Sequence, residues 1–258
     1  MHGSQKFRAP HQTQSPLPAA DRLRQGRVLI VGMGALGSVG ALQLAAAGVG
    51  TLGLIDGDTV ELSNLHRQAM YRTPDIGRRK VRVAAERIAA RHPNVSVRCF
   101  DEWLSARNLR SVFADFDFVI DGTDQVASKY LVNDGAVLCG TAFSHAGIIG
   151  FQGQTMTVLP GRSACVRCLF PCPPREGEIP TCEEAGVLGA LAGSIGSIQA
   201  TEALKYLLGS GTLLVNRLLT CDAERARWRT IGLSRNERCP LCGEQPTIRQ
   251  LEPVATGV

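Results

Sequence analysis

A glycine-rich turn is the first feature of this sequence that could bind a phosphate. Gly32, Gly34 and Gly37 form the pattern G-x-G-x-x-G, which lies between an apolar run and the Ala- and Leu-rich segment 35–47. A strand followed by a helix is the context in which this pattern binds nucleotides, because the glycines let a phosphate approach the free N–H groups of the helix. Asp56 has the spacing of an acid that binds ribose hydroxyls. By itself, the pattern indicates NAD at least as strongly as ATP.

The cysteines offer a second kind of chemistry. Cys165 and Cys168 form one C-x-x-C pair, and Cys239 and Cys242 form another. Two such pairs can complete a tetrahedral thiolate zinc site, and the long gap between them means that the metal would pin the C-terminal tail to the body. A redox role is the alternative, but two pairs in one chain favour structural zinc. Cys182 is separate; it precedes a predicted helix, whose N-terminus would favour the thiolate.

The bulk composition excludes several classes of protein. The chain has 258 residues, of which 44% are hydrophobic and 20% are charged, as in one ordinary globular α/β domain. The net charge of +5 suits an anionic ligand or an acidic partner, although a basic surface without a function is an equal alternative. Scattered basic residues do not indicate nucleic acid, and no apolar run indicates a membrane span or a secretory signal. Nine cysteines is an odd count, which argues against a complete disulfide framework. A cytoplasmic location is therefore expected.

Hydrophobic patterning predicts the elements that position these residues. We predict strands at 28–31, 51–55, 95–99, 116–120, near Leu138, at 149–158 and at 213–219, and helices at 35–47, 78–91, 126–137 and 187–208. The first strand–helix–strand unit predicts a parallel sheet with a right-handed crossover. The expected fold is therefore α/β, a Rossmann-type doubly wound mixed sheet with a small zinc-binding C-terminal cap.

The expected domain organisation is simple. Residues 1–24 are polar and contain proline, and we interpret them as a flexible N-terminal arm. Residues 25–258 would form one domain, which includes the zinc site built from 165–168 and 239–242.

The stretches between these elements resemble a known family. Residues 56–68 match the pattern D-x-D-x-V-x-x-S-N-L-x-R-Q, residues 77–80 match G-x-x-K, residues 121–124 match D-x-T-D, and residues 181–187 match T-C-x-E-A-G-V. Together with the glycine turn, these motifs resemble the MoeB/ThiF/HesA adenylyltransferases, relatives of the ubiquitin-activating enzymes. The resemblance extends over about residues 27–242, and five motifs in order are far more specific than one.

The resemblance implies an activity and its partners. ATP would adenylate the C-terminal glycine carboxylate of a small ubiquitin-like sulfur-carrier protein that ends in Gly-Gly, which prepares the carrier for thiocarboxylate formation in cofactor or sulfur-metabolite biosynthesis. Members of this type are homodimers. No rhodanese-like domain follows the second cysteine pair, so the sulfur donor is expected to be a separate protein.

The resemblance also assigns roles to individual residues. Arg67 and Lys80 would bind the phosphates, Asp124 would hold Mg²⁺, Asp56 would bind the ribose, and Asn64 would contact the phosphates or the ribose region. Cations are needed because two anions must meet in the reaction. The nucleotide site implied in full comprises Gly32, Gly34, Ala35, Gly37, Asp56, Asp58, Ser63, Asn64, Arg67, Lys80, Asp124 and Gln125.

Five positions leave alternatives open. Gln125 stands where the family usually has Asn. Asp121 would either assist the metal or end its strand. Cys182 would either bond covalently to the carrier, as in sulfur-transferring relatives, or be a bystander thiol. Arg8 has the spacing of the arginine that completes the partner subunit's ATP site, against the alternative of a disordered tail. His145 could reach the site, although a structural role is favoured.

Three other functions were compared with adenylation. An NAD(P)-dependent oxidoreductase explains the glycine turn and Asp56, but not Arg67, Lys80 or the paired cysteines. A non-catalytic relative that only docks a carrier would not need Arg67, Lys80 and Asp124 together. The related tRNA-modifying dehydratases also use ATP on a carboxylate, but the zinc cysteines favour a carrier protein as the substrate.

Overall fold

The computed structural model describes residues 17–175, 177–178 and 182–251. Within these ranges, eight strands form one sheet in the order β3-β2-β1-β4-β5-β6-β7-β8. The strands are β1 (Arg27–Val31), β2 (Thr51–Ile55), β3 (Ser96–Phe100), β4 (Phe118–Asp121), β5 (Ala142–Ile149), β6 (Gln152–Val158), β7 (Arg217–Asp222) and β8 (Arg227–Gly232). The helices are α1 (Leu17–Gln25), α2 (Ala35–Ala47), α3 (Lys80–Arg91), α4 (Leu109–Phe113), α5 (Val126–Cys139), α6 (Val166–Leu169), α7 (Cys182–Ala185) and α8 (Gly189–Leu208), with short 3-10 turns at Leu62–Asn64 and Thr73–Asp75.

The sheet is mixed, and its parallel half contains the expected nucleotide site. Strands β3, β2, β1, β4 and β5 pair in parallel, whereas β5 to β8 pair antiparallel. Strand β1 lies between β2 and β4, so the strand order reverses beside it. Ligands of doubly wound sheets bind outside the carboxyl ends of the strands at such a reversal. The expected doubly wound mixed fold is confirmed.

Strand β1 lies in the centre of the core. Val28, Leu29 and Ile30 have no exposed surface, because helices cover both faces of a parallel sheet. On one face, α2 packs against α8 at close range: a Cβ atom on Gly196 would lie 2.6 Å from the backbone oxygen of Leu36. These two small-residue helices therefore fix where the first turn of α2 lies.

The structure differs from the predicted elements at Leu138 and at β8. Leu138, predicted to lie in a short strand, belongs to α5, which continues to Gly140 before the chain enters β5 at Ala142. Gly140 adopts a φ of 74° and ends the helix in the left-handed conformation that glycine favours. Strand β8 was not predicted, because it is an exposed edge strand with polar residues on both faces.

The N-terminal arm also differs from its predicted boundary. Helix α1 occupies part of the predicted arm, residues 1–24. Leu23 is 5% exposed and joins the core beside α8, and Gly26 approaches Leu207 closely. The contacts of Leu23 and Gly26 hold this segment beside α8. The polar composition of residues 1–24 does not reveal these contacts in the sequence.

Candidate nucleotide site and metal centre

The glycine turn joins β1 to α2 with very little space around its backbone. Gly32 has a φ of 87°, and a Cβ atom on Gly37 would lie 1.8 Å from the Gly32 oxygen. Gly34 is the N-cap of α2, and no side chain caps the helix there. The free N–H groups at the start of α2 are therefore available to an anion, as the sequence predicted.

Asp56 directly follows β2, and its carboxylate is hydrogen-bonded to the backbone of the glycine turn. Its Oδ2 accepts a hydrogen bond from the Met33 amide at 2.6 Å, and its Oδ1 accepts one from the Asp58 amide at 2.8 Å. Tyr71 donates its hydroxyl proton to the Met33 carbonyl at 2.8 Å. Burial raises the pKa of Asp56, which is 6% exposed. Besides its predicted contact with the ribose, Asp56 thus positions the turn.

A cavity of about 320 Å³ lies at the carboxyl ends of β1, β2 and β4. The predicted site residues that line it are Gly32, Gly34, Ala35, Asp56, Asp58, Asn64, Arg67, Lys80, Asp124 and Gln125. Gly37 and Ser63 are not part of its lining. Its volume falls within the range of small-molecule sites. The fold thus brings most of the predicted nucleotide residues to one place.

Lys80 is a buried cation at this cavity. It begins α3, is 5% exposed, and pairs its ammonium group with the Asp58 carboxylate. The Lys80 amide also donates to the Asp58 carbonyl at 3.1 Å. Removing a charged amine from water is unfavourable unless it is paired, so Asp58 is what allows Lys80 to lie here. A bound polyphosphate would provide a second counter-charge.

A short chain of hydrogen bonds fixes the Arg67 side chain. Its Nη2 donates to Asn64 Oδ1 at 2.7 Å, and Asn64 Nδ2 donates to Glu61 Oε2 at 3.3 Å. Ser63 Oγ donates to the same Glu61 oxygen at 3.2 Å. Ser63 therefore supports the turn that carries Arg67 and points to Glu61. A side chain on Gly189 would collide with the Arg67 backbone, 3.0 Å away, so α8 begins directly against this cation.

The two aspartates after β4 have different surroundings. Asp121 has no exposed surface and lies 2.9 Å from His145 Nδ1 and 3.6 Å from Lys129 Nζ, and it accepts the Thr123 hydroxyl proton at 2.6 Å. Burial acts to raise the pKa of Asp121, but Lys129 and His145 lower it to about 2. Asp124 is exposed and lines the cavity. These contacts favour the structural alternative for Asp121 and His145.

The cavity residues that were not predicted from the sequence include Gln68, Lys129 and Trp103. Gln68 is the last residue of the motif at residues 56–68. It is 4% exposed, and its Oε1 atom has no hydrogen-bond partner among the described residues. Lys129 follows Asp124 on the first turns of α5, but nothing in its spacing distinguished it. Trp103 lies in the irregular segment after β3 and covers Gly57, where an added Cβ atom would lie 2.7 Å from its ring.

A second, larger cavity of about 1250 Å³ adjoins the first. The residues that line both are Asp124, Gln125, Lys129 and Ile148. Its other walls are the β5–β6 hairpin and the loop that follows α6, represented by Gln152, Gln154, Phe170, Cys172 and Arg175. A molecule that entered here would meet the nucleotide cavity at Asp124 and Gln125.

The four paired cysteines come together on the far side of the sheet. Their Sγ atoms, from Cys165, Cys168, Cys239 and Cys242, all lie within 4.8 Å of one another. Four of the sulfur–sulfur distances are 3.4–4.0 Å, close to the roughly 3.8 Å between ligands of a tetrahedral zinc with bonds of about 2.3 Å. The hydrogen bond with Cys242 and burial raise the pKa of Cys165, so a metal cation would stabilise the thiolates. The donor set fits zinc.

Two predicted residues fall outside what the structure describes. Arg8 precedes the first described residue, and the side chain of Cys182 is not described, although its backbone begins α7. Gln125 is the N-cap of α5 without a side-chain cap and lies at the boundary of both cavities. Among the described helices, none is long and apolar enough to cross a membrane.

Curated proteins similar in sequence share an activity in their names. The chain is 43% identical over 236 residues to the sulfur carrier protein adenylyltransferase of Thermus thermophilus, covering 90% of this chain and 87% of that protein. It is 42% identical over 223 residues to the SAMP-activating enzyme E1 of Haloferax volcanii, covering 86% and 82%. Against the probable adenylyltransferase/sulfurtransferase MoeZ of Mycobacterium tuberculosis it is 41% identical and spans 58% of that longer protein.

Solved structures agree on the fold. Escherichia coli MccB superposes with a TM-score of 0.80 at 21% identity, over 88% of this chain and 70% of that one. PaaA superposes with a TM-score of 0.70 at 28% identity, over 86% of this chain and 68% of that one. The profile of the ThiF family matches residues 11–241, which include every element that lines the nucleotide cavity. With this match and relatives above 40% identity, the chain belongs to the ThiF family.

Proposed function

We propose that this protein is an ATP-dependent adenylyltransferase that activates the C-terminal glycine carboxylate of a ubiquitin-like sulfur-carrier protein. The observation that carries the proposal is one cavity in which two cations, Arg67 and Lys80, face a glycine turn and an exposed carboxylate, Asp124. An NAD(P)-dependent oxidoreductase would leave the segment of Ser63 and Asn64 and the paired cysteines unexplained beside these cations. The names of the relatives support the same activity and the same class of acceptor.

The chemistry follows from these groups. A carboxylate oxygen of the acceptor attacks the α-phosphorus of ATP, the bond from that phosphorus to the bridging oxygen breaks, and pyrophosphate leaves with the electron pair. Arg67 and Lys80 would offset the charge that accumulates when two anions approach. Asp124 would hold Mg²⁺, which would supply positive charge to offset that of the phosphates. The amide N–H groups at the start of α2 would orient the nucleotide.

The second cavity is suited to the acceptor. It shares Asp124, Gln125 and Lys129 with the nucleotide cavity, so an extended chain end in it would present its carboxylate where the two cavities meet. A tail of glycines is narrow enough to follow the β5–β6 hairpin without side-chain clashes. This arrangement supports a protein tail as the substrate in preference to a small free acid.

The remaining parts of the proposal concern assembly and sulfur. Residues 25–258 would act as one domain, stabilised by structural zinc at the four cysteines. The enzyme would be a cytoplasmic homodimer, with Arg8 completing the partner's site. A separate donor would supply sulfur after adenylation, and Cys182 is the residue to test for a covalent bond to the carrier.

The test is carrier-dependent ATP–pyrophosphate exchange, with a Gly-Gly-terminated ubiquitin-like protein of the same organism as the acceptor. We expect Arg67→Ala, Lys80→Ala and Asp124→Ala each to lower exchange by about 10²- to 10³-fold. Arg98→Ala is the matched control, because Arg98 pairs with Asp115 on the surface, away from both cavities. Normal exchange in one variant would remove that residue from the site. Absence of exchange in the folded wild type with every such carrier would reject the proposed function.

A further inference from the structure

A set of buried contacts joins the end of β4, the start of α5 and β5 directly behind the wall that the two cavities share. Asp121 accepts hydrogen bonds from the Thr123 hydroxyl at 2.6 Å and the Thr123 amide at 3.1 Å. It also accepts one from His145 on β5 at 2.9 Å. Asp121 has no exposed surface, so these contacts are not in competition with water.

Lys129 completes this set from α5. Its Nζ donates to the Thr123 carbonyl and to the Ala146 carbonyl, each at 2.6 Å, and lies 3.6 Å from Asp121 Oδ2. The two hydrogen bonds use two of the three N–H donors of the ammonium group, and the Asp121 carboxylate provides its counter-charge. The side chain is 14% exposed, and it lines both cavities. The ammonium group thus connects the loop after β4 to the neighbouring strand.

Asp124, by contrast, lacks a polar partner among the described residues. In the described part of the chain, no hydrogen bond or ion pair holds its carboxylate. Its direction is therefore set by the backbone on either side, at Thr123 and at Gln125, the N-cap of α5. Lys129 holds the carbonyl of Thr123, the peptide group that leads into Asp124.

We infer that Lys129 is a positioning residue, which acts through the Thr123 carbonyl to aim the Asp124 carboxylate into the nucleotide cavity. The inference rests on the proposed function, in which Asp124 holds the magnesium of Mg·ATP. Residues that orient a metal ligand typically contribute about 10- to 100-fold to metal affinity or activity. Lys129 would contribute that much through the Asp124 carboxylate.

Substitutions at position 129 separate the effect of the charge and hydrogen-bond donors of Lys129 from the effect of its side-chain packing. Lys129→Met keeps the apolar stem but donates no hydrogen bond, so the loop carbonyl and Asp121 lose their cation. Lys129→Arg keeps the charge and several donors. Lys205→Met is the matched control, because Lys205 also joins a backbone carbonyl, that of Thr212 at 2.8 Å, to a buried carboxylate, Glu202, but does so on α8 away from both cavities.

The experiment is calorimetric measurement of ATP affinity for the full-length protein, once with excess Mg²⁺ and once with EDTA. We expect Lys129→Met to lose at least tenfold of the affinity that magnesium adds, and to leave the affinity in EDTA within about twofold of the wild type. Lys129→Arg should recover most of the magnesium-dependent part, and Lys205→Met should bind as the wild type does. In the double variant Asp124→Ala/Lys129→Met, the loss should be no larger than in Asp124→Ala alone, because both changes remove the same contribution.

Three results would overturn the inference about Lys129. They are an unchanged magnesium effect in folded Lys129→Met, equal losses in EDTA and in magnesium, or additive losses in the double variant. Equal losses would mean a direct or general role, and additive losses would mean that Lys129 does not act through Asp124. A wild-type protein that binds no ATP in either condition would instead reject the proposed function, so the two failures are distinguishable.

Discussion

Each cation at the nucleotide cavity is held by a specific anion or amide in the ligand-free protein. Lys80 pairs with Asp58, and Arg67 is held by Asn64, so neither side chain needs to reorganise from solvent when a polyphosphate arrives. Electrostatic stabilisation is most effective when the charges are already fixed in place. At the residue scale, the protein's own groups therefore fix both cations in place.

The pair of Lys80 and Asp58 leads to a prediction about stability. Asp58→Asn leaves a buried ammonium group without its counter-charge, so we expect the ligand-free protein to lose about 1–3 kcal/mol. Bound ATP would restore a counter-charge to Lys80. The rise in melting temperature on adding Mg·ATP should therefore be larger in Asp58→Asn than in the wild type. Asp101→Asn is the control, because Asp101 forms a partly exposed pair with Arg79, and such pairs contribute at most about 1 kcal/mol. Thermal denaturation with and without Mg·ATP measures both effects. An unchanged melting temperature in ligand-free Asp58→Asn would contradict this account of Lys80.

At the scale of elements, the C-terminal segment is the part of the fold least supported by regular structure. After β8, residues 233–251 contain no helix or strand. Cys239 and Cys242 lie against Cys165 and Cys168 at α6, and Arg235 donates hydrogen bonds to the Cys242 carbonyl. Apolar burial is small in so short a segment, so a metal is an effective way to attach it.

We expect each chain to bind one zinc ion. We also expect the C-terminal segment to resist proteases only while that zinc ion is bound. Cys239→Ser, or a strong chelator, should release the segment and increase the rate of tryptic cleavage after Arg235 or Arg238 by about tenfold or more, because local unfolding exposes the backbone. Cys99→Ser is the control, since Cys99 lies outside the cluster. Elemental analysis gives the metal content, and mass spectrometry locates the cuts. A folded protein without metal, equally resistant to trypsin, would exclude structural zinc.

At the scale of the whole molecule, the open question is whether one chain is sufficient for one site. Arg67 and Lys80 line the cavity, and Arg8, the third arginine or lysine that the family resemblance assigns to the site, lies before the described residues. Helix α1 packs beside α8, and Leu23 of α1 shares a core cluster with residues of α2 and α8.

A mixing experiment tests the proposed homodimer and the trans arginine together. Arg8→Ala and Arg67→Ala chains should each be inactive alone, because each site then lacks one cation for the triphosphate. Co-expression should restore part of the exchange activity, since one site in each mixed dimer keeps both arginines. Analytical ultracentrifugation should show a dimer. A fully active Arg8→Ala protein, or a wild type that sediments only as a monomer, would refute the trans contribution.

The candidate site could be located from the sequence because the family resemblance assigns its residues and because its motifs lie at the ends of predicted parallel strands. The glycine turn, the segment from Asp56 to Arg67 and the pair Asp121 and Asp124 each follow a strand of the parallel sheet. The carboxyl ends of parallel strands meet at one edge, so local pattern alone places these groups near one another. The paired spacing of the cysteines predicted their cluster for a similar reason, since thiolates at that spacing have few other uses.

Only the tertiary structure decided which of these side chains face the cavity and which hold the others in place. Asp121 and Asp124 are three positions apart and chemically equal, yet His145 and Lys129, from other elements, bury the first and leave the second exposed. Gln68 is likewise a cavity residue only because the fold leaves its amide oxygen unpaired and buried. Local sequence determines strand, turn and helix, whereas the role of a polar group depends on burial and on partners distant in the chain, which only the folded packing supplies.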